Sequence, residues 1–404
     1  MRALVHIGTE KTGTTSIQEF LSSHRDQLDS VGMHFLRSAG ERNNRWLPAA
    51  CVDLDRPDDF FSTRGIEGAG AREQAVAGFV QRFHQELRSL PERTESVVIS
   101  SEHLHSRLVS QAEVDRLAGL LGEHVDEVRV ICYLRPQVDL CSSLYSTALR
   151  VGHTIDFETF LEQCHPGNPY YDYASLLDRW SSTFGRDSLT VRRYPQDLRN
   201  GDLLDDFSQW LSIDNQAGRG RDVSASNTSI STEGQWLALA INRAFPGSRS
   251  RDSEIVRARA VDLVARRLAG SGRQPDPASR QRIQSAFDES NDAVRARFFP
   301  DDGELFPGKP SRSTPPTDGD VGRDAAVVAT TAEVLRLVAD SAVERRRLVH
   351  RVRRAAAGGA RRMVGVVPSR LFVRRGFTDD QQQAERDDEY REAARERAEE
   401  DVPQ

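Results

Sequence analysis

The chain has 404 residues, 29% of them charged, with a formal net charge of −6. That is length enough for a sizeable core in one large domain or two, and it lacks the overall basic field that would point to nucleic acid. No apolar run approaches the roughly 18 residues of a spanning helix, so a membrane protein is not expected either.

The first predicted element is a strand at Ala3–Ile7 in "MRALVHIG". A chain that opens on a strand leaves no room for a leader peptide, so a cytoplasmic location is expected. A glycine-bracketed turn follows, "GTEKTG", and then an apolar helical spacing over Thr15–Leu28. Helices are predicted at Ala71–Leu90, Gln111–Leu121, Val138–Leu149 and Ser175–Phe184, alternating with strands at Ser96–Ser100, Val128–Leu134 and Leu189–Arg193. This alternation predicts an α/β fold with a parallel sheet flanked by helices. Beyond Ser231 the pattern is helical only, at Thr232–Ala244, Asp252–Leu268 and Pro277–Phe298. Ser231 with Gly234 nearby, or Ser229 with Thr232, reads as a helix cap. The division expected is a domain over residues 1–310, a linker over 311–323, and a helical or disordered tail over 324–404. The tail holds 11 arginines and no acid between Arg345 and Arg375, and turns strongly acidic after Asp379. It reads as a solvated segment, or as a basic helix able to touch an anionic membrane or glycan. Cys51, Cys132, Cys141 and Cys164 show no C-x-x-C spacing and read as free thiols of a reducing compartment. No metal-ligand cluster is visible.

The turn at Gly8–Gly13 has the glycine spacing of the nucleotide-triphosphate loop, G-x-x-x-x-G-K-[ST]. Its lysine is displaced: Thr14 follows Gly13, and Lys11 sits inside the turn. All but two of the 55 basic residues are arginine, the exceptions being Lys11 and Lys309. A lysine in such a turn is therefore not a generic surface charge; a compact ammonium suits a single phosphate oxygen. Backbone N–H groups at the head of a helix attract anions, and Thr14 and Thr15 add hydroxyls. The alternative is a plain cap by Thr14 or Thr15. No Lys-Ser or Lys-Thr pair is available for the usual magnesium arrangement, which speaks against a triphosphatase.

A second stretch, "VICYLRPQVDLCSSLYSTALR", carries Arg135 at the carboxyl end of a strand and Ser143 in the helix that follows. Ligands of open α/β sheets gather at such ends, and an arginine fork fits a phosphate.

Together, "KTGTT" and "RPQVDLCSSLY" resemble the sulfotransferases that use 3′-phosphoadenosine 5′-phosphosulfate (PAPS), with a P-loop-like fold. "SSEHL", "RRYPQDL" and "FFPDDGELF" also look like segments of bacterial members. The resemblance covers roughly residues 1–308 and leaves the tail outside. It implies that Lys11, Thr12, Gly13, Thr14 and Thr15 hold the donor's 5′-phosphosulfate, that Ser16 next to them belongs to the donor-binding set, that Arg135 and Ser143 hold its 3′-phosphate, and that Tyr194 contacts its adenine. It implies no metal. Ser16 stands where cytosolic members carry an adenine-stacking tryptophan, and the only stand-in for the family's R-K-G loop is "PGKP" with Lys309.

Transfer to an acceptor hydroxyl or amine, carried by a carbohydrate or glycoconjugate, needs a general base. Glu102 in "ISSEHLHSR" is preferred, then His105, then His103, with Glu41 in "GERNNR" as a fourth candidate. Tyr170, Tyr171 and Tyr173 either line an acceptor cleft or pack the next helix. Two other functions stay open at this point. One is a small-molecule or nucleotide kinase with an altered loop. The other is a non-catalytic protein that keeps the pocket and works through its tail.

Overall fold

The computed structural model describes residues 1–56, 58–213, 229–245, 251–307 and 327–337. Its centre is a five-stranded sheet, parallel throughout. The strands are β1 (Arg2–His6), β2 (Met33–Phe35), β3 (Ser96–Ser100), β4 (Glu127–Leu134) and β5 (Leu189–Arg193), in the order β2-β3-β1-β4-β5. Side chains alternate between two faces with the strand period. Ala3, Val5, Val97, Ile99, Val130, Cys132 and Leu134 enter one apolar core, while Leu4, Val98, Ile131 and Tyr133 enter another. Burial on both faces is what a parallel sheet requires, and it explains why these strands read as continuous apolar runs.

The smaller core is closed by α1 (Thr14–Ser23), α2 (Arg25–Ser30) and, from later in the chain, α11 (Leu203–Leu211). The larger core takes α3 (Trp46–Cys51), α5 (Ala69–Ser89), α7 (Gln111–Gly122), α8 (Gln137–Arg150), α9 (Phe157–Leu161) and α10 (Tyr173–Phe184). It continues into α12 (Thr232–Ala244), α13 (Arg251–Arg267), α14 (Pro277–Ser285) and α15 (Asp288–Phe298). Short helices α4 (Asp59–Ser62) and α6 (His103–Arg107) complete the set. A helical segment at residues 327–337 buries Val334 in the larger core.

Three expectations are corrected. β2 was not foreseen: it is three residues long, at the sheet edge, with a histidine in the middle. The helix expected over Thr15–Leu28 breaks at His24, where Ser23 Oγ and the His24 ring bond the carbonyls of Glu19 and Phe20. Such local side-chain bonds compete with helix continuation. The helix expected over Pro277–Phe298 is two, because Phe287 leaves the helical path and is fully buried. Of the two caps considered, Ser231 is the one formed: it accepts from the Gly234 N–H at 3.2 Å. No helix of the described residues is long and apolar enough to cross a membrane. The linker, Lys309 and the Arg-rich and acidic stretches lie outside the described residues.

The topology fixes one place for a ligand. From β1 the chain moves toward β2 at one edge, and from β4 it moves toward β5 at the other. β1 and β4 are neighbours, so the crevice between their departing connections lies at the carboxyl ends of these two strands.

Candidate active site

The β1–α1 turn is built on the end of β4. The Thr9 N–H donates to the Tyr133 carbonyl at 2.9 Å, and the Tyr133 N–H donates to the Gly8 carbonyl at 2.7 Å. The Thr9 hydroxyl adds a bond to the same Tyr133 oxygen at 3.0 Å. Inside the turn, the Thr12 hydroxyl donates to the Thr9 carbonyl at 2.6 Å, which spends that hydroxyl on the turn itself. Gly13 caps α1 in the left-handed region at φ 85°, and a side chain there would run into Leu203 at the start of α11. Lys11 also has positive φ, at 57°.

No side chain caps α1. The capping alternative for Thr14 and Thr15 therefore does not hold. The first N–H groups of a helix have no acceptor within it. At α1 they face the crevice together with the positive end of the helix dipole.

The fold brings the two motif stretches into contact. Arg135, 124 residues beyond Lys11 in sequence, donates from its guanidinium to the Lys11 carbonyl at 3.1 Å. The backbone carbonyl of Arg135 is itself held by the Tyr173 hydroxyl at 2.7 Å. The Lys11 ammonium bonds the hydroxyl of Thr147 in α8. Ser143, half-buried, lies one turn before Thr147 on the same helix face. Thr15 and Ser16 are half-buried at the head of α1, and Thr14 is buried. Tyr194 continues the edge past β5, its N–H donating to the Leu134 carbonyl at 2.7 Å, and it packs on the smaller core. Next to it, Arg193 pairs with Asp197 at 2.8 Å and with Asp302 at 2.7 Å, joining two of the segments singled out in the sequence.

Of the base candidates, Glu102 lies nearest the turn. It follows β3, which pairs with β1, and a side chain at Gly8 would come within 3.2 Å of the Glu102 Cα. The residue is 8% exposed, and its Oε2 accepts from the amide of Gln18 in α1 at 2.5 Å. Its Oε1 lies 3.9 Å from His103 Nε2. His105 is turned into the core: its Nε2 donates to the Tyr170 carbonyl at 2.9 Å, and burial pushes its pKa down to about 4. Glu41 projects outward with 83% of its side chain exposed, 3.8 Å from Arg25. Its loop is latched to β3 through Asn44, which exchanges backbone and side-chain bonds with Ser100. Tyr170, Tyr171 and Tyr173 are buried and pack the larger core. Gln18 and Thr147 were not singled out in the sequence, although each stands four residues from a residue that was, Thr14 and Ser143.

No family model matches the chain, and neither does any curated protein. Among solved structures, a sulfotransferase from Alicyclobacillus acidocaldarius is similar at a TM-score of 0.37 and 14% identity, over 73% of this chain and 94% of that one. So low a score carries neither activity nor residue roles across.

Proposed function

We propose that this protein is a sulfotransferase that moves a sulfuryl group from PAPS to a hydroxyl or amine of an acceptor, with a carbohydrate or glycoconjugate as the first class to try. The observation that carries the reading is the contact of Arg135 with the Lys11 carbonyl at the head of an uncapped helix. It sets a guanidinium, an ammonium and the N–H groups of Thr14 and Thr15 around one crevice, an arrangement suited to a nucleotide with two anionic groups.

When bound, the donor supplies an activated sulfuryl group whose departing phosphate gathers negative charge. Lys11 and the first N–H groups of α1 are fixed dipoles and charge of the kind that stabilises such a group. Arg135 and Ser143 are assigned the 3′-phosphate, and Tyr194 the adenine. Glu102 is assigned the acceptor proton, received at Oε1 while Gln18 holds Oε2. The choice of Glu102 over His105 rests on the hydrogen bond that commits the His105 ring to Tyr170. Thr147 holds the Lys11 ammonium toward α8 and Ser143.

The test is transfer of labelled sulfate from PAPS to a panel of sugars, glycoconjugates and simple alcohols, without added metal. Lys11→Ala is expected to lower turnover at least about a hundredfold, the magnitude typical of losing a group that stabilises developing charge. Full turnover in Lys11→Ala, or phosphate transfer from ATP by the native protein, would overturn the reading.

A further inference from the structure

The opposite edge of the sheet carries a second cluster of chemically active side chains. His84 lies in the last turns of α5, which leads toward the start of β3. Glu123 and His124 form the turn between α7 and the start of β4. Both places are at the amino ends of parallel strands, whereas the Lys11–Arg135 crevice is at the carboxyl ends, on the order of 20 Å away at ~3.3 Å per strand residue. The proposed transfer uses none of these three residues.

His84 Nδ1 and His124 Nε2 are 2.7 Å apart, and His84 Nε2 is 3.6 Å from Glu123 Oε1. One ligand atom from each of the three lies within 4.8 Å of the other two. Phe83 flanks both rings, edge-on, and fixes their apolar sides. The backbone N–H of His124 donates to the Leu121 carbonyl at 2.9 Å, which fixes the backbone of the turn. Two imidazoles and one carboxylate, with an outer position left for water, is the donor set of an open zinc site. Hard ions such as magnesium and calcium prefer oxygen ligands, which are in the minority here.

We propose that His84, His124 and Glu123 form a site for a divalent transition-metal ion, zinc in the first instance, that ties the end of α5 to the turn before β4. At present the two rings share a proton, one nitrogen donating and the other accepting. Metal binding moves that proton to the other nitrogen of the donating ring, so that both rings stay neutral, and puts the cation in its place. At zinc–nitrogen distances of about 2.0–2.1 Å and tetrahedral angles, the two nitrogens separate to about 3.3 Å, a small ring movement from where they now lie. The site links His84 to positions 39 and 40 residues further on, adding a cation to the direct contact of the two rings.

The experiment is calorimetric titration of zinc chloride into the metal-free, full-length protein and into His124→Gln and Glu123→Gln. Glu123 is the safer variant, since its side chain is 59% exposed and its loss should leave the fold intact by circular dichroism. The native chain is expected to take up one saturable equivalent, with affinity reduced at least about tenfold in each variant. Absence of a saturable equivalent, or unchanged affinity in both variants, would overturn the proposal. The readout does not depend on sulfuryl transfer, so its failure would leave that reading untouched.

Discussion

Two helix starts in this molecule are built in opposite ways. α7 begins with a complete capping box: Ser110 accepts from the Glu113 N–H, and the Glu113 carboxylate accepts from the Ser110 N–H at 3.0 Å. α1 begins at a left-handed glycine with no side-chain cap. In α7 two of the orphan donors, the Ser110 and Glu113 N–H groups, are satisfied by the chain itself, which stabilises the helix. In α1 the same groups stand open at the crevice between β1 and β4, with Lys11 and Arg135 beside them. One start is closed by the fold itself, and the other is the start that the proposed function assigns to an anion.

The comparison can be broken most severely at the chemistry of the open start. Glu102→Gln keeps the size of the side chain and removes its ability to take a proton. Turnover should fall about 10²–10⁴-fold with binding of adenosine 3′,5′-bisphosphate unchanged. If His105→Gln gave the larger loss instead, the base assignment would move. Arg135→Ala should come next. It removes charge-assisted hydrogen bonds to a phosphate, so nucleotide binding should weaken by about 1.5–3 kcal/mol while the thermal midpoint hardly moves. A smaller effect is expected at the closed start, where Ser110→Ala should lower stability by about 1 kcal/mol and leave nucleotide affinity as it was. A drop in affinity in Ser110→Ala would mean that the two helix starts are coupled.

Acid should act on the scaffold through buried histidines. Burial lowers His6 to about 3 and His105 to about 4, both below the ordinary value near 6.5. Between about pH 6.5 and 4 the unfolded chain binds protons at these positions and the folded chain does not. Their contribution is therefore fully present above pH 6.5 and is lost as pH falls, by about 1.4 kcal/mol per pH unit for each ring. His34, raised by Glu86 and Asp29 against its desolvation, works the other way. Its contribution is complete below pH 6.5 and disappears as pH rises through its folded value. Denaturant midpoints measured from pH 7.5 to 5 should thus fall toward acid, and His105→Gln should flatten the slope.

Much of the sheet was legible because its strands are buried on both faces and bounded by turns. β3 and β5 match their predicted bounds, and β1 and β4 differ by a residue at one or both ends. β2 was not legible, being a short edge strand whose histidine faces Asp29 and Glu86 instead of the core. The places of Lys11, Glu102 and Arg135 followed from strand ends and glycine spacing, since a parallel sheet collects the ends of its strands on one edge. Gln18 and Thr147 were not found, because an amide or a hydroxyl on a helix face has no spacing of its own. His84 and the Glu123–His124 pair escaped for a related reason: only the return of β4 beside β1 brings the end of α7 near the end of α5.

The most direct measurement is calorimetric titration of the purified protein with adenosine 3′,5′-bisphosphate, with and without magnesium, beside ATP. The expected result is tight binding that magnesium does not change and that Arg135→Ala weakens. No binding, or a preference for ATP with magnesium, would contradict the claim that the open start of α1 is a site for this nucleotide and would return the loop to the kinase reading.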